Sequence, residues 1–159
     1  MAASAAAAIF GGIVGIGPGA NWHVHTAFAA GEPGNSIKPA RVVEITMRER
    51  DGEMIFVPAA IEVRTGEHIR FVLKNEGEFD HEFVLDSFDR NAKRRIEMEK
   101  NPVMEHDYPN TTRITAKKSA KIHWRFTKAG TFEFADLHPD HYDAGMKGVV
   151  VVTDGPSIR

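Results

Sequence analysis

Residues 121–153 read KIHWRFTKAGTFEFADLHPDHYDAGMKGVVVVT, and the order of strand and loop signals in this stretch decides the fold. Apolar and polar side chains alternate over residues 121–126, which is the pattern of a strand with one buried face. Residues 131–135 and 148–153 predict two further strands, and the unbroken valine run in the second is typical of a strand buried on both faces. The polar residues between these two strands predict a loop at the end of a sheet.

The same strand pattern extends towards the N-terminus. Four more short segments predict strands: residues 41–48, 54–57, 59–63 and 68–74. Residues 91–100 differ, because they are rich in helix formers and stop before Pro102, so they predict one short helix. Short strands without alternating helices indicate an all-β fold. We therefore predict a Greek-key β-sandwich of about seven or eight strands with one short inserted helix.

Composition excludes several classes of protein. The chain of 159 residues has the length of one domain, and 42% hydrophobic residues can fill one core. There is no cysteine, which excludes disulfides, thiolate metal ligands and a cysteine nucleophile. The net charge is -2 with both signs mixed along the chain, so no nucleic-acid partner is indicated. Motifs of phosphate-binding loops, dinucleotide folds, serine hydrolases and zinc proteases are missing from the sequence, and we predict a protein that is not an enzyme.

The N-terminal part has a different composition. Residues 2–16 are apolar, small and uncharged, and residues 27–29 (Ala-Phe-Ala) form a small-x-small cleavage pattern. Together they resemble a secretory signal, although no Lys or Arg precedes Lys38; the alternative is a disordered Ala/Gly tail. We predict an exported, periplasmic protein with no membrane span in the mature chain. The predicted segments are a signal peptide at 1–29, a turn-rich lead-in at 30–40, the folded domain at 41–154 and a tail at 155–159.

Residues 136–146 are the densest group of metal-ligating side chains in the chain, with two His, three Asp and one Met. They fall on the predicted loop between two strands, which is where binding residues of a sandwich commonly lie. Imidazole, carboxylate and thioether together form a suitable donor set for copper. The alternative is a solvated acidic loop in which the His residues are incidental.

Two segments of the chain carry motifs of a known family. In residues 132–146, Pro139, His141 and Ala144-Gly145-Met146 occupy the spacing of a C-terminal copper loop. In residues 75–83, an Asn at a strand end precedes a His that opens the next strand. These segments resemble the two ligand motifs of the cupredoxin (plastocyanin/azurin-like) family, in the family's order and at about its separation. The resemblance implies a cupredoxin-like fold over most of the predicted domain.

The resemblance implies metal ligation by His81 and His141, with Met146 as a distant, weak donor. The position of the family's ligating Cys holds Asp136 in this sequence. Because a carboxylate is a hard oxygen donor that favours Cu(II) over Cu(I), the implied centre is a pale type 2 copper site of low reduction potential. Core packing is the alternative role for Met146, since Met commonly fills gaps.

Two more positions of this loop depart from the family pattern. His138 and Asp140 stand where the family usually has an apolar residue and Gly. Since the changes introduce potential donors, we interpret the loop as a re-purposed site. His138 is then an added ligand, or part of a second surface site with Asp140, or a solvated side chain.

The resemblance implies a binding protein for copper, with Cu2+ favoured and another divalent ion as the alternative. Its role would be copper tolerance, storage or delivery, with a membrane transporter or another copper protein as partner. Two other functions stay open: an electron-transfer or oxidase partner of a metal-uptake system, and a cupredoxin-fold interaction domain with a vestigial site.

Overall fold

The computed structural model describes residues 28–101 and 108–155. The predicted signal peptide at 1–29 lies almost entirely outside these ranges, and so does most of the predicted tail. In the part of the chain that is described, no helix combines the length and the apolar character needed to cross a membrane.

The described ranges contain ten strands and two helices. In chain order they are β1 Glu32–Pro33, β2 Arg41–Arg50, β3 Glu53–Val57, β4 Ala60–Arg64, β5 His68–Asn75, β6 His81–Asp86, α1 Phe88–Lys100, β7 Thr111–Ile114, β8 Ser119–Arg125, β9 Gly130–Ala135, α2 Pro139–Asp143 and β10 Lys147–Thr153.

The strands form two five-stranded sheets, in the orders β1-β8-β5-β2-β3 and β4-β10-β9-β6-β7. Neighbours are antiparallel, except that β2 is parallel to β5 and β10 is parallel to β4. The predicted all-β sandwich with an inserted helix, α1, is confirmed. The loop predicted between the last two strands contains an additional short helix, α2, of five residues.

The inner faces of the two sheets meet in a core rich in aromatic rings. The alternation predicted for β8 is confirmed, since Ile122, Trp124 and Phe126 are all buried. Phe83 of β6 stacks on Phe134 of β9, with ring centroids 5.5 Å apart. This pair fixes β6 and β9 side by side, close to the end of the sheet where β6 begins and β9 ends.

The prediction that the valine run of β10 is buried on both faces is wrong. Val150 and Val152 are buried, but Val151 on the opposite face is 36% exposed. The reason is that the inserted helix α1 packs on β6 and β9 and leaves the outer face of β10 uncovered. Four consecutive valines therefore do not by themselves indicate a strand with two covered faces.

Helix α1 begins at Phe88, three residues before the predicted start at 91. Ser87 caps it, because its hydroxyl accepts a hydrogen bond from the Arg90 N–H at 3.3 Å. On its inner face Met98 joins a small cluster with Val84 and Ala135 of the sheet beneath. The helix thus adds a second, local core on the outer side of β6 and β9.

We expect Phe134→Ala to lower the free energy of unfolding by about 3–5 kcal/mol, because it removes a fully buried ring from between the sheets. The matched control is Phe88→Ala, whose ring is 46% exposed, and which we expect to change stability by no more than about 0.5 kcal/mol. Urea unfolding of the metal-free protein measures both. Equal losses in the two variants would contradict the assignment of the core.

Candidate metal centre

Strand pairing brings the two predicted ligand segments to one end of the sandwich. His81 is the first residue of β6, and Asp136 directly follows the last residue of β9. These strands are antiparallel neighbours, so the start of one lies beside the end of the other. A backbone hydrogen bond from the Asp136 N–H to the Met146 carbonyl, 3.0 Å long, then closes the loop that carries His141.

Two imidazole rings and one backbone N–H converge on one carboxylate oxygen. Oδ2 of Asp136 lies 3.2 Å from Nδ1 of His81 and 2.8 Å from Nδ1 of His141. It also accepts a hydrogen bond of 3.0 Å from the backbone N–H of Glu82. One potential ligand atom from each of His81, Asp136 and His141 lies within 4.8 Å of the other two. We call this group the His81–Asp136–His141 cluster.

The cluster is closed on one side and open on the other. The side chain of His81 is fully buried and that of Asp136 is 1% exposed, whereas that of His141 is 15% exposed. His141 lies on α2, whose start is favoured by Pro139 in the first turn. Solvent therefore reaches the cluster past the His141 ring.

Hydrogen bonding determines the charge state of this buried group. Burial alone would raise the pKa of the Asp136 carboxyl, but its polar contacts, first with the His141 ring and then with the His81 ring and the Glu82 N–H, lower it to about 2. The hydrogen bond to Asp136 raises the pKa of the His141 imidazole. Asp136 is thus an ionised oxygen donor at neutral pH, despite its burial.

The structure places the other two predicted ligands differently. The ring of His138 lies 4.8 Å from that of His141, measured between centroids, and its Nδ1 is buried without a hydrogen-bond partner among the described residues. Its backbone N–H donates to Oδ1 of Asp136 at 3.1 Å. Met146 is fully buried within the main hydrophobic core. His138 is therefore next to the cluster, and Met146 packs beneath it.

Asn75 shapes the turn that leads to His81. Its amide nitrogen donates to the carbonyls of Phe79 and Ile114, at 2.7 and 2.9 Å, and its side-chain oxygen accepts from the Gly77 N–H at 2.9 Å. Asn75 is buried, so these bonds also satisfy its own polar atoms. The Asn of the predicted first-ligand motif thus holds the backbone that orients the His.

Tyr142 anchors the loop that carries His141. Its hydroxyl donates to the buried Glu133 carboxylate at 2.9 Å. The guanidinium of Arg95, from α1, lies 4.3 Å from the centre of its ring, and the ammonium of Lys147 lies 4.4 Å from it. These contacts fix α2 against both the sheet and the inserted helix.

Glu49 is a neighbour of the cluster that the sequence analysis missed. Its Oε1 lies 3.1 Å from Nε2 of His81, on the side of the ring away from Asp136. Partial burial would raise the pKa of Glu49, but hydrogen bonds, first that from the Glu78 N–H, lower it. The local sequence gives no sign of this contact, because Glu49 reads as one of several charged residues in an alternating strand.

The donor set fits a divalent transition-metal ion. Two imidazole nitrogens and one ionised oxygen converge, and imidazole with carboxylate suits Cu(II), while also accepting zinc or iron. The sequence contains no cysteine, so this centre has no thiolate. His81, Asp136 and His141 would hold the ion, and the buried carboxylate would offset part of its charge.

The raised pKa of His141 predicts how the stability of the metal-free protein depends on pH. A raised folded pKa contributes stability that is fully present below the unfolded value, about 6.5, and is lost as pH rises through the folded value. We expect unfolding free energies of the metal-free wild type to fall over this window, by on the order of 1 kcal/mol for each unit of pKa difference. Urea unfolding at a series of pH values measures the fall.

Asp136→Asn should flatten this dependence, because it removes the charge that raises the His141 pKa. The matched control is Asp143→Asn in the same segment, whose side chain is 77% exposed and which should keep the wild-type slope. An unchanged slope in Asp136→Asn would contradict the assigned pairing.

Comparisons with known proteins identify the family of this chain. The profile of the family described as "Copper binding proteins, plastocyanin/azurin family" matches residues 43–153. The copper-resistant cuproprotein CopI of Rubrivivax gelatinosus is 45% identical over 131 residues, which cover 82% of this chain and 78% of the relative. CopI of Pseudomonas aeruginosa is 36% identical, over 78% of this chain and 82% of the relative.

A solved structure shows the same architecture. Auracyanin B superimposes with a TM-score of 0.63 at 25% identity, covering 79% of this chain and 98% of that one. The family profile spans both strand segments that build the His81–Asp136–His141 cluster. The chain therefore belongs to the plastocyanin/azurin family of copper binding proteins.

Proposed function

We propose that this protein is an exported copper-binding protein that holds Cu(II) through His81, Asp136 and His141 and serves copper tolerance. The observation that carries the proposal is the convergence of both imidazole Nδ1 atoms on one ionised oxygen of Asp136. The relatives named as copper-resistant cuproproteins, from two organisms, support the assignment to copper resistance.

The ligand chemistry favours the oxidised ion. Thiolate ligands stabilise Cu(I) and give blue copper sites their intense colour, whereas carboxylate and imidazole suit Cu(II). Asp136 supplies a full negative charge in a buried position, and this charge attracts a doubly charged cation more strongly than a singly charged one. We infer a pale type 2 centre of low reduction potential, which binds copper without acting as an enzyme.

The exposure of the ligands supports storage or delivery of the ion. His141 is the most exposed ligand, so an ion would enter and leave past its ring. His138 lies beside this entrance and is an additional donor within the same loop. Met146, buried beneath, is a weak donor at most. The partner in delivery would be a membrane transporter or another copper protein, outside the cytoplasm.

One observation favours a second candidate function. In the metal-free cluster one oxygen of Asp136 already lies within hydrogen-bond distance of two imidazole nitrogens and accepts from a backbone N–H. A network satisfied in this way can stabilise a fold with no ion, as in an interaction domain with a vestigial site. A role in fast electron transfer is disfavoured, because Asp136 replaces the sulfur ligand.

Titration of the purified metal-free protein with Cu(II) separates these candidates. We expect stoichiometric binding with a type 2 paramagnetic spectrum. His81→Ala and His141→Ala should each weaken binding by more than about 100-fold, since loss of a direct ligand should exceed the 10–100-fold cost of losing an outer partner. His123→Ala, which removes a His from the outer face of β8, should bind as the wild type does.

Binding that survives in both His variants, or no binding in the wild type, would contradict the proposal. Rapid, reversible redox cycling would favour the electron-transfer function instead. Parallel titrations with Zn(II), Mn(II) and Fe(II) test the choice of ion, although copper is favoured at most nitrogen and oxygen sites. The variant Asp136→Cys, which introduces a thiolate ligand at this position, should develop intense visible absorption on addition of Cu(II).

A further inference from the structure

Glu49 contacts the ring of His81 on the side away from Asp136, and it belongs to β2, a strand of the other sheet. We propose that Glu49 is a positioning residue for the metal centre: it holds the proton of His81 on Nε2, presents Nδ1 to the ion and biases the centre towards Cu(II). This inference deepens the proposed function and rests on it.

The hydrogen-bond inventory determines which nitrogen donates. A carboxylate only accepts hydrogen bonds, and both ring nitrogens of His81 face one: Nε2 lies 3.1 Å from Glu49 Oε1, and Nδ1 faces Asp136. Since Oδ2 of Asp136 already accepts from the His141 ring and the Glu82 N–H, we assign the His81 proton to Nε2. In a neutral imidazole the other nitrogen then carries a lone pair. That nitrogen, Nδ1, faces Oδ2 of Asp136 at 3.2 Å. Two acceptors face each other there, and a cation placed between them satisfies both.

Glu49 is itself firmly held. Its carboxylate accepts backbone hydrogen bonds from Glu78, at 3.0 Å, and from Phe79, at 3.3 Å. A side chain at position 77 would collide with this carboxylate, so Gly77 leaves the space that it occupies. A further backbone bond, from the Glu76 N–H to the Met47 carbonyl at 2.9 Å, joins the same turn to β2. The turn before His81 and the end of β2 therefore form one unit.

This arrangement has two consequences for a bound ion. A carboxylate that accepts from a ligating His fixes the orientation of the ring and makes the imidazole a stronger donor. The side chain of Glu49 is only 25% exposed, so its negative charge is partly shielded from water and acts on the ion through the ring. Both effects favour the more highly charged copper ion, Cu(II).

Two variants of Glu49 separate hydrogen bonding from charge. Glu49→Leu removes the acceptor, whereas Glu49→Gln keeps an acceptor oxygen and removes the charge. The matched control is Glu44→Gln on the same strand, where Glu44 pairs with Lys74 at the surface and is 53% exposed. Urea unfolding confirms that each variant is folded before metal is added.

We expect Glu49→Leu to weaken Cu(II) binding about 10–100-fold. Glu49→Gln should bind with a smaller loss, and its Cu(II)/Cu(I) midpoint potential should rise. Nitrogen-15 NMR of the metal-free protein reads directly which ring nitrogen of His81 carries the proton. His81 should carry its proton on Nε2 in the wild type and in Glu49→Gln, and this preference should be lost in Glu49→Leu.

The inference is overturned if His81 has the same tautomer in Glu49→Leu as in the wild type, or if both Glu49 variants match Glu44→Gln in copper affinity and potential. Its failure differs from failure of the proposed function. If the wild type binds no Cu(II), the proposed function is wrong, and so is the role of Glu49 in metal binding. The NMR spectrum of the metal-free protein still decides whether Glu49 positions the His81 ring.

Discussion

The proposed metal centre depends on one buried carboxylate that contacts two imidazoles. Asp136 joins the end of β9 to the start of β6 through His81 and to α2 through His141, so it unites segments 55 residues apart in the chain. An ionised group at this depth is tolerated only when it is paired and hydrogen-bonded. The cost of burying the charge therefore enforces the convergence of the two imidazoles that a metal ion needs.

The rest of the fold supports this convergence from three directions. The stacked Phe83 and Phe134 fix the two strands beneath the cluster. Tyr142, held by Glu133 and two cationic side chains, fixes the loop from the side of the inserted helix. Glu49 reaches the cluster from the opposite sheet. The positions of the proposed ligands are thus determined by rigid elements, which is the requirement for a preorganised metal site.

Sequence patterns predicted the sheets and singled out the three residues that the structure brings together, but only part of their surroundings. Alternation in β8 and the two ligand motifs were informative because a strand period and a loop spacing are local properties. The exposure of Val151 and the contact between Glu49 and His81 depend on how segments that are distant in the chain pack against one another. Asp136 at the position of the family's ligating Cys could be recognised from the sequence, because this depends only on the residue spacing within one loop.

A crystal structure of the Cu(II)-loaded protein, with anomalous diffraction recorded above and below the copper absorption edge, tests the central claim most directly. We expect a copper peak within bonding distance of Nδ1 of His81, Nδ1 of His141 and a carboxylate oxygen of Asp136. A peak elsewhere on the molecule, with these three side chains still in contact with one another and no ion between them, would contradict it.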